Sequence, residues 1–136
     1  MKSLLKRYHF CSFHKDSQHL FVPGNSNEII IYDLRTAMRW KSLKGHEGLI
    51  ECIAVQDGGQ IVASFSRKDK EIKLWKIHSS GFFENILGNS TQLYRSIRVK
   101  EEIPLHAELK LTWINNDKQI ELSAPKENFR VVLGGT

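Results

Sequence analysis

Short apolar runs recur along the chain, and clusters of Gly, Asn, Asp, Ser or Pro separate them. Such spacing predicts antiparallel strands joined by tight turns, and no long helical period competes with it. The expected strands of a first unit are Arg7–Phe13, His19–Val22, Glu28–Asp33 and Met38–Leu43. A second unit offers Leu49–Val55, Gln60–Ser66 and Glu71–Ile77, with a displaced fourth strand at Leu93–Lys100 after an extended connection, Gly81–Gln92. Three more runs follow, Leu109–Ile114, Lys118–Ala124 and Asn128–Leu133. The chain is therefore expected to be all-β.

The units repeat. Ile31-Tyr32-Asp33 and Leu74-Trp75-Lys76 close equivalent strands, and Tyr32 and Trp75 stand 43 residues apart. Cys11–Gln18 aligns with Ile53–Gln60 at a shift of 42. Lys44-Gly45-His46 precedes the second unit, and Glu71-Ile72-Lys73-Leu74-Trp75 ends its third strand. A Gly-His pair, a strand ending in Trp and a period of about 40 to 45 residues resemble a WD40 repeat. The resemblance implies about three four-stranded blades of a partial β-propeller: residues 1–44, 45–100 and a degenerate 101–136. Three blades cannot close a ring, so the expected neighbours are the remaining blades of a longer chain or other cover for the open edges.

In a WD40 blade a loop His, a turn Asp, a strand hydroxyl and the strand-end Trp form a buried hydrogen-bonded relay. The matching residues are His46, Asp69 and Trp75, with Ser64 or Ser66 supplying the hydroxyl. In the first unit Tyr32 replaces the Trp and Ser26 stands at the Asp offset, so its relay is expected to be incomplete. The role implied for these residues is structural, not catalytic. His9, His14 and His19 recur every five residues, a spacing expected to scatter them over different faces rather than gather them on a metal. No nucleophile elbow, phosphate-cradling loop or paired carboxylate motif stands out. The expectation is a non-enzymatic chain without cofactor or metal.

Twenty Lys and Arg against 15 acidic residues give a net charge of +5. A basic nucleic-acid-binding module is the alternative reading, but the charges are dispersed and form no block. Cys11 and Cys52 sit in apolar runs and are expected to be reduced, buried thiols in a cytoplasmic protein. Neither a signal peptide nor a membrane span is visible, and the sequon Asn89-Ser90-Thr91 reads as accidental. Phe82-Phe83 is expected to pack under the long connection, Trp113 against a neighbouring sheet, and Gly134-Gly135 to form a flexible tail.

Four stretches carry a narrower resemblance: the start Phe13-His14-Lys15-Asp16-Ser17-Gln18, Ile31–Ala37, Lys44–Glu47 and Leu74–Phe83. Together they resemble the C-terminal end of the β subunit of the rabconnectin family of large WD-repeat proteins. That resemblance implies an interaction scaffold, cytoplasmic or peripheral on vesicle membranes. Its implied partners are a DMX-like subunit and the vacuolar ATPase, whose assembly or regulation it would support.

Overall fold

The computed structural model describes residues 11–14, 17–77 and 93–134. Three antiparallel sheets result. The first is the meander β1 (Ser12–His14), β2 (His19–Pro23), β3 (Glu28–Asp33) and β4 (Met38–Lys44). The second is β5 (Cys52–Val55), β6 (Ile61–Ser66), β7 (Glu71–Lys76) and β8 (Leu93–Arg98). The third is β9 (Lys110–Ile114), β10 (Gln119–Ala124) and β11 (Phe129–Gly134), with a 3-10 turn at Pro125–Glu127 between the last two. Among the described residues the third sheet has three strands, one fewer than a full blade. No helix of the described residues is long and apolar enough to cross a membrane.

Strand boundaries differ from the sequence expectation in one instructive place. β5 starts at Cys52 rather than Leu49, because Leu49 points into water while Ile50 is buried. Even so, Glu51 N–H reaches the carbonyl of Phe65 at 2.8 Å, so the ladder extends past the strand. The expected first strand lies mostly outside the described residues. So do the Gly81–Gln92 connection with Phe82-Phe83, the Asn89-Ser90-Thr91 sequon, Gly135 and His9.

The middle sheet is buried on both faces, and the two-residue period of its strands sorts side chains between two cores. Ile53, Val62, Trp75 and Ile77 join Phe21, Ile29, Ile31 and Leu43 of the first sheet. Cys52, Ala54, Ala63, Phe65, Ile72 and Leu74 join Leu111, Ile120, Leu122 and Ala124 of the third. Trp113 packs against this second core and donates its indole N–H to the carbonyl of Ala54 at 3.0 Å. Its expected contact with a neighbouring sheet is present.

The two four-stranded sheets share one irregularity. Ile31 pairs with Lys41 and Tyr32 with Arg39, leaving Trp40 as an extra residue on β4. Leu74 pairs with Arg95 and Trp75 with Leu93, leaving Tyr94 extra on β8. Each bulge carries an exposed aromatic ring on an outer strand, under a lysine: Lys41 Nζ lies 4.4 Å from the Trp40 ring and Lys76 Nζ 4.6 Å from that of Tyr94. Bulges and lysines at an edge oppose pairing with a foreign strand.

Candidate functional site

The chemistry-bearing side chains meet where the loop before the second sheet crosses the β6–β7 turn. Gly45 brings the loop close: a Cβ there would lie 2.9 Å from the Trp75 ring. His46 follows, with Nδ1 2.8 Å from Asp69 Oδ2 and Nε2 2.7 Å from Ser64 Oγ. Trp75 on β7 donates its indole N–H to the same Ser64 Oγ at 2.9 Å. Asp69 also accepts the backbone N–H of Glu47 and of Glu71, each at 3.1 Å.

Donor chemistry fixes the direction of this chain. An indole N–H only donates and a carboxylate only accepts, so the Ser64 hydroxyl passes its own proton to His46 Nε2 while Nδ1–H donates to Asp69. That arrangement requires a neutral imidazole. Burial favours it, holding His46 below the ordinary histidine range even though the Asp69 hydrogen bond pulls the other way. Burial also pushes Asp69 up, but the His46 ring and the Glu47 N–H outweigh it and leave the carboxyl below its usual range.

Ser64, His46 and Asp69 have the order and spacing of a nucleophilic triad. Their setting rules that use out. Ser64 is 0% exposed, and its oxygen already accepts the Trp75 N–H inside the interface between the first two sheets. A substrate carbonyl has no approach to it.

Of the residues singled out in the sequence, the structure brings His46, Ser64, Asp69 and Trp75 together. Ser66 is buried two residues along β6, and its hydroxyl has no partner among the described residues. Tyr32 lies in the first sheet opposite Leu20, as Trp75 lies opposite Val62, and takes no part in the relay. Ser26 offers its backbone N–H to Glu28 Oε1 at 3.1 Å. The expected scattering of histidines is corrected: the tight β1–β2 hairpin sets His14 directly opposite His19, on one face. Their rings still diverge, His14 toward Ser17 and Asp57 and His19 stacked on Trp40 at 4.2 Å. No group of three or more metal-ligating side chains occurs among the described residues. Burial raises the Cys52 thiol far above its ordinary range, as expected of an inert interior cysteine.

Two further devices are not apparent from motifs. The strand-end turns are latched from sheet to sheet: His14 Nε2 lies 2.8 Å from the carbonyl of Asp57, and Gln56 donates to the carbonyl of Asp117 at 3.2 Å. His14 and Gln56 are equivalent at the 42-residue shift, so the repeat alignment held this signal. Gly59, at φ +74, lets the His14 ring approach, since a Cβ there would sit 2.4 Å from His14 Cε1. Arg67 forms the second device, reaching Glu51 Oε2 and the carbonyls of Pro104 and Ala107.

Sheets stacked in this way with such a relay are the fold of a WD40 β-propeller, present in part. The β-propeller domain of Cps50 (Swd1) from Myceliophteria thermophila superposes with a TM-score of 0.60 at 16% identity, over 91% of this chain and 37% of that one. The RRP9 WD40 repeats superpose with a TM-score of 0.57 at 17% identity, over 92% and 36%. In sequence, the chain is similar to the serine-threonine kinase receptor-associated protein. Identity is 28% over 91 residues in Gallus gallus and 25% over 91 residues in Homo sapiens. The match takes in 67% of this chain but spans only 23% of the length of these relatives. No protein-family model matches the chain.

Proposed function

We propose that the chain is a non-enzymatic interaction scaffold, a run of WD40-type blades that acts by holding protein partners. The observation that carries this is the sealed relay: among the described residues, the one constellation with catalytic geometry has its hydroxyl buried and bonded to Trp75. Its residues serve the second blade, and the loops and outer strands remain for contact.

The finer reading follows the rabconnectin-like stretches Ile31–Ala37, Lys44–Glu47 and Leu74–Phe83. On that reading the scaffold is cytoplasmic and touches vesicle membranes only peripherally. It works beside a DMX-like subunit, with the remaining blades of a longer chain, in assembling or regulating the vacuolar ATPase.

Affinity purification of the protein tagged at its genomic locus, followed by mass spectrometry, tests this. Enrichment of vacuolar ATPase and DMX-like subunits supports the finer reading, and a stable set of other proteins supports the scaffold alone. Recovery of nucleic acid that is lost steeply between about 50 and 200 mM salt would replace both with the basic-module reading.

A further inference from the structure

Two leucines on the connections between sheets stand out into water: Leu105 is 83% exposed and Leu49 66%. Leu49 precedes the buried Ile50 on the connection from β4 to β5, and Leu105 lies on that from β8 to β9. On the second connection Val99 and Leu109 are buried in the core, and Ile103 and Ala107 pack against it. Leu105 alone of its aliphatic residues turns outward. One exposed leucine is ordinary. What sets these two apart is how firmly the backbone beneath them is held. Arg67 donates to the carbonyls of Pro104 and Ala107, on either side of Leu105 and His106, and to Glu51, two residues beyond Leu49. Its planar fork thus ties both connections to the β6–β7 turn. His106 is kept at φ +60, a left-handed conformation that a non-glycine residue rarely adopts. Gly48, next to Leu49, is pressed onto the same turn, where a Cβ would collide with that of Lys68. Both leucines are therefore presented from ordered backbone, which removes much of the ordering cost of docking.

Charge selects the partner. Glu47, Glu101, Glu102 and Glu108 on the two connections are exposed and belong to none of the ion pairs of the described residues. Even with Arg67, Lys68, Lys70 and Lys100 counted, acids outnumber cations across residues 45–51, 67–70 and 99–109, in a chain whose net charge is +5. The two leucines thus stand in an acidic surround. Further blades would leave them uncovered: blades stack through sheet faces, as these three do, and the connections lie at the strand ends. The connections also offer no strand edge to which a foreign strand could add, so the fitting occupant is a helix with one apolar stripe.

We infer that Leu49 and Leu105 together dock a basic amphipathic helix of a partner protein. The apolar stripe of that helix covers the two leucines, and its lysines or arginines meet the surrounding glutamates. The inference rests on the scaffold reading and locates the contact surface that reading requires.

Fluorescence anisotropy on the full chain tests it, with a labelled helical peptide of about 18 residues that carries a stripe of leucines among lysines. Saturable binding is expected, weakened at least about tenfold by Leu49→Ser with Leu105→Ser, and likewise by Glu101→Lys with Glu102→Lys. All four positions are exposed, so the urea midpoint should hold in both variants. Should the leucine variant unfold, the glutamate variant carries the test. The same peptide with glutamate in place of lysine should not bind. No binding by the wild type, equal binding of the glutamate peptide, or binding indifferent to the substitutions would each overturn the inference. In the affinity purification described above, a stable partner set that the leucine variant keeps would overturn this surface and leave the scaffold standing. Absence of any stable set with the wild type would instead fell the scaffold reading, and this inference with it.

Discussion

Trp75 hands its indole N–H to Ser64 Oγ at 2.9 Å, across two strands of one sheet. That bond commits the hydroxyl proton to His46, and His46 in turn to Asp69. Loop, strand and turn are thereby tied together through four side chains with each polar atom in the chain engaged.

Ser64→Ala removes the shared oxygen and leaves both the indole N–H and His46 Nε2 buried without it. A loss of about 1–3 kcal/mol is expected in urea unfolding, with the denaturant slope unchanged. A loss below a few tenths would mean that water replaces the hydroxyl.

Asp69→Ala strips the partner from His46 Nδ1–H and from the Glu47 and Glu71 N–H groups. The expected cost is again about 1–3 kcal/mol. Because the two residues act through one histidine, the double variant should lose less than the sum, with a coupling of about 0.5–3 kcal/mol. Strict additivity would show Asp69 to be an independent turn residue.

The repeat was legible in the sequence because each strand end is marked by its own chemistry. Tyr32 and Trp75 announce one strand position twice, and Gly45-His46 announces the loop that covers Trp75. The choice between Ser64 and Ser66 was not legible. Both lie on one face of β6, and only the height of Asp69 and Trp75 along the sheet selects Ser64. Arg67 was hidden for another reason: its acceptors Pro104 and Ala107 are backbone carbonyls, which leave no trace in residue identity. The bulges at Trp40 and Tyr94 were equally silent, since an extra residue is visible only against a partner strand.

Acid should weaken the fold through His46. Its folded value is depressed by burial, whereas an unfolded histidine titrates near about 6.5. The unfolded chain therefore takes up the proton first, and stability present above that pH is lost as pH falls toward the folded value. Asp69, also depressed, keeps its contribution until stronger acid, below about 4. The urea midpoint should thus drop between about pH 7.5 and 5, and His46→Gln should be less stable but show a shallower drop. A variant that keeps the whole pH dependence would assign it to other histidines.

Gly45→Ala tests how closely the loop is seated. The added methyl would approach the Trp75 ring at 2.9 Å, and both the ring and the bond to Ser64 resist its displacement. Overpacking of this kind costs about 1–3 kcal/mol. Quenching of the buried Trp75 by acrylamide should rise in the variant, as measured in a chain with Trp40 and Trp113 replaced by Phe. Unchanged stability and quenching would mean that the loop gives way without disturbing the relay.

Arg67 offers the last prediction, because its side chain joins the β6–β7 turn to the connection before β9, beside the Val99 N–H that reaches the carbonyl of Lys70 at 2.8 Å. Its Nε meets Glu51 Oε2 at 2.6 Å, its Nη1 meets the carbonyl of Pro104 at 2.6 Å, and its Nη2 meets that of Ala107. The guanidinium fork suits these three acceptors at once, which a lysine cannot match. Leu105, 83% exposed, sits in the segment so held, and Leu109 anchors its far end in the core. Arg67→Lys should keep the charge yet release the carbonyls, speeding amide exchange over residues 101–108 by about 10- to 100-fold, the equivalent of about 1.5–3 kcal/mol. Exchange in β6 and β7 should change far less, since their ladders and both cores remain. Equal acceleration throughout would show that Arg67 supports the whole sheet, and no acceleration would show that Val99 and Leu109 hold the connection without it.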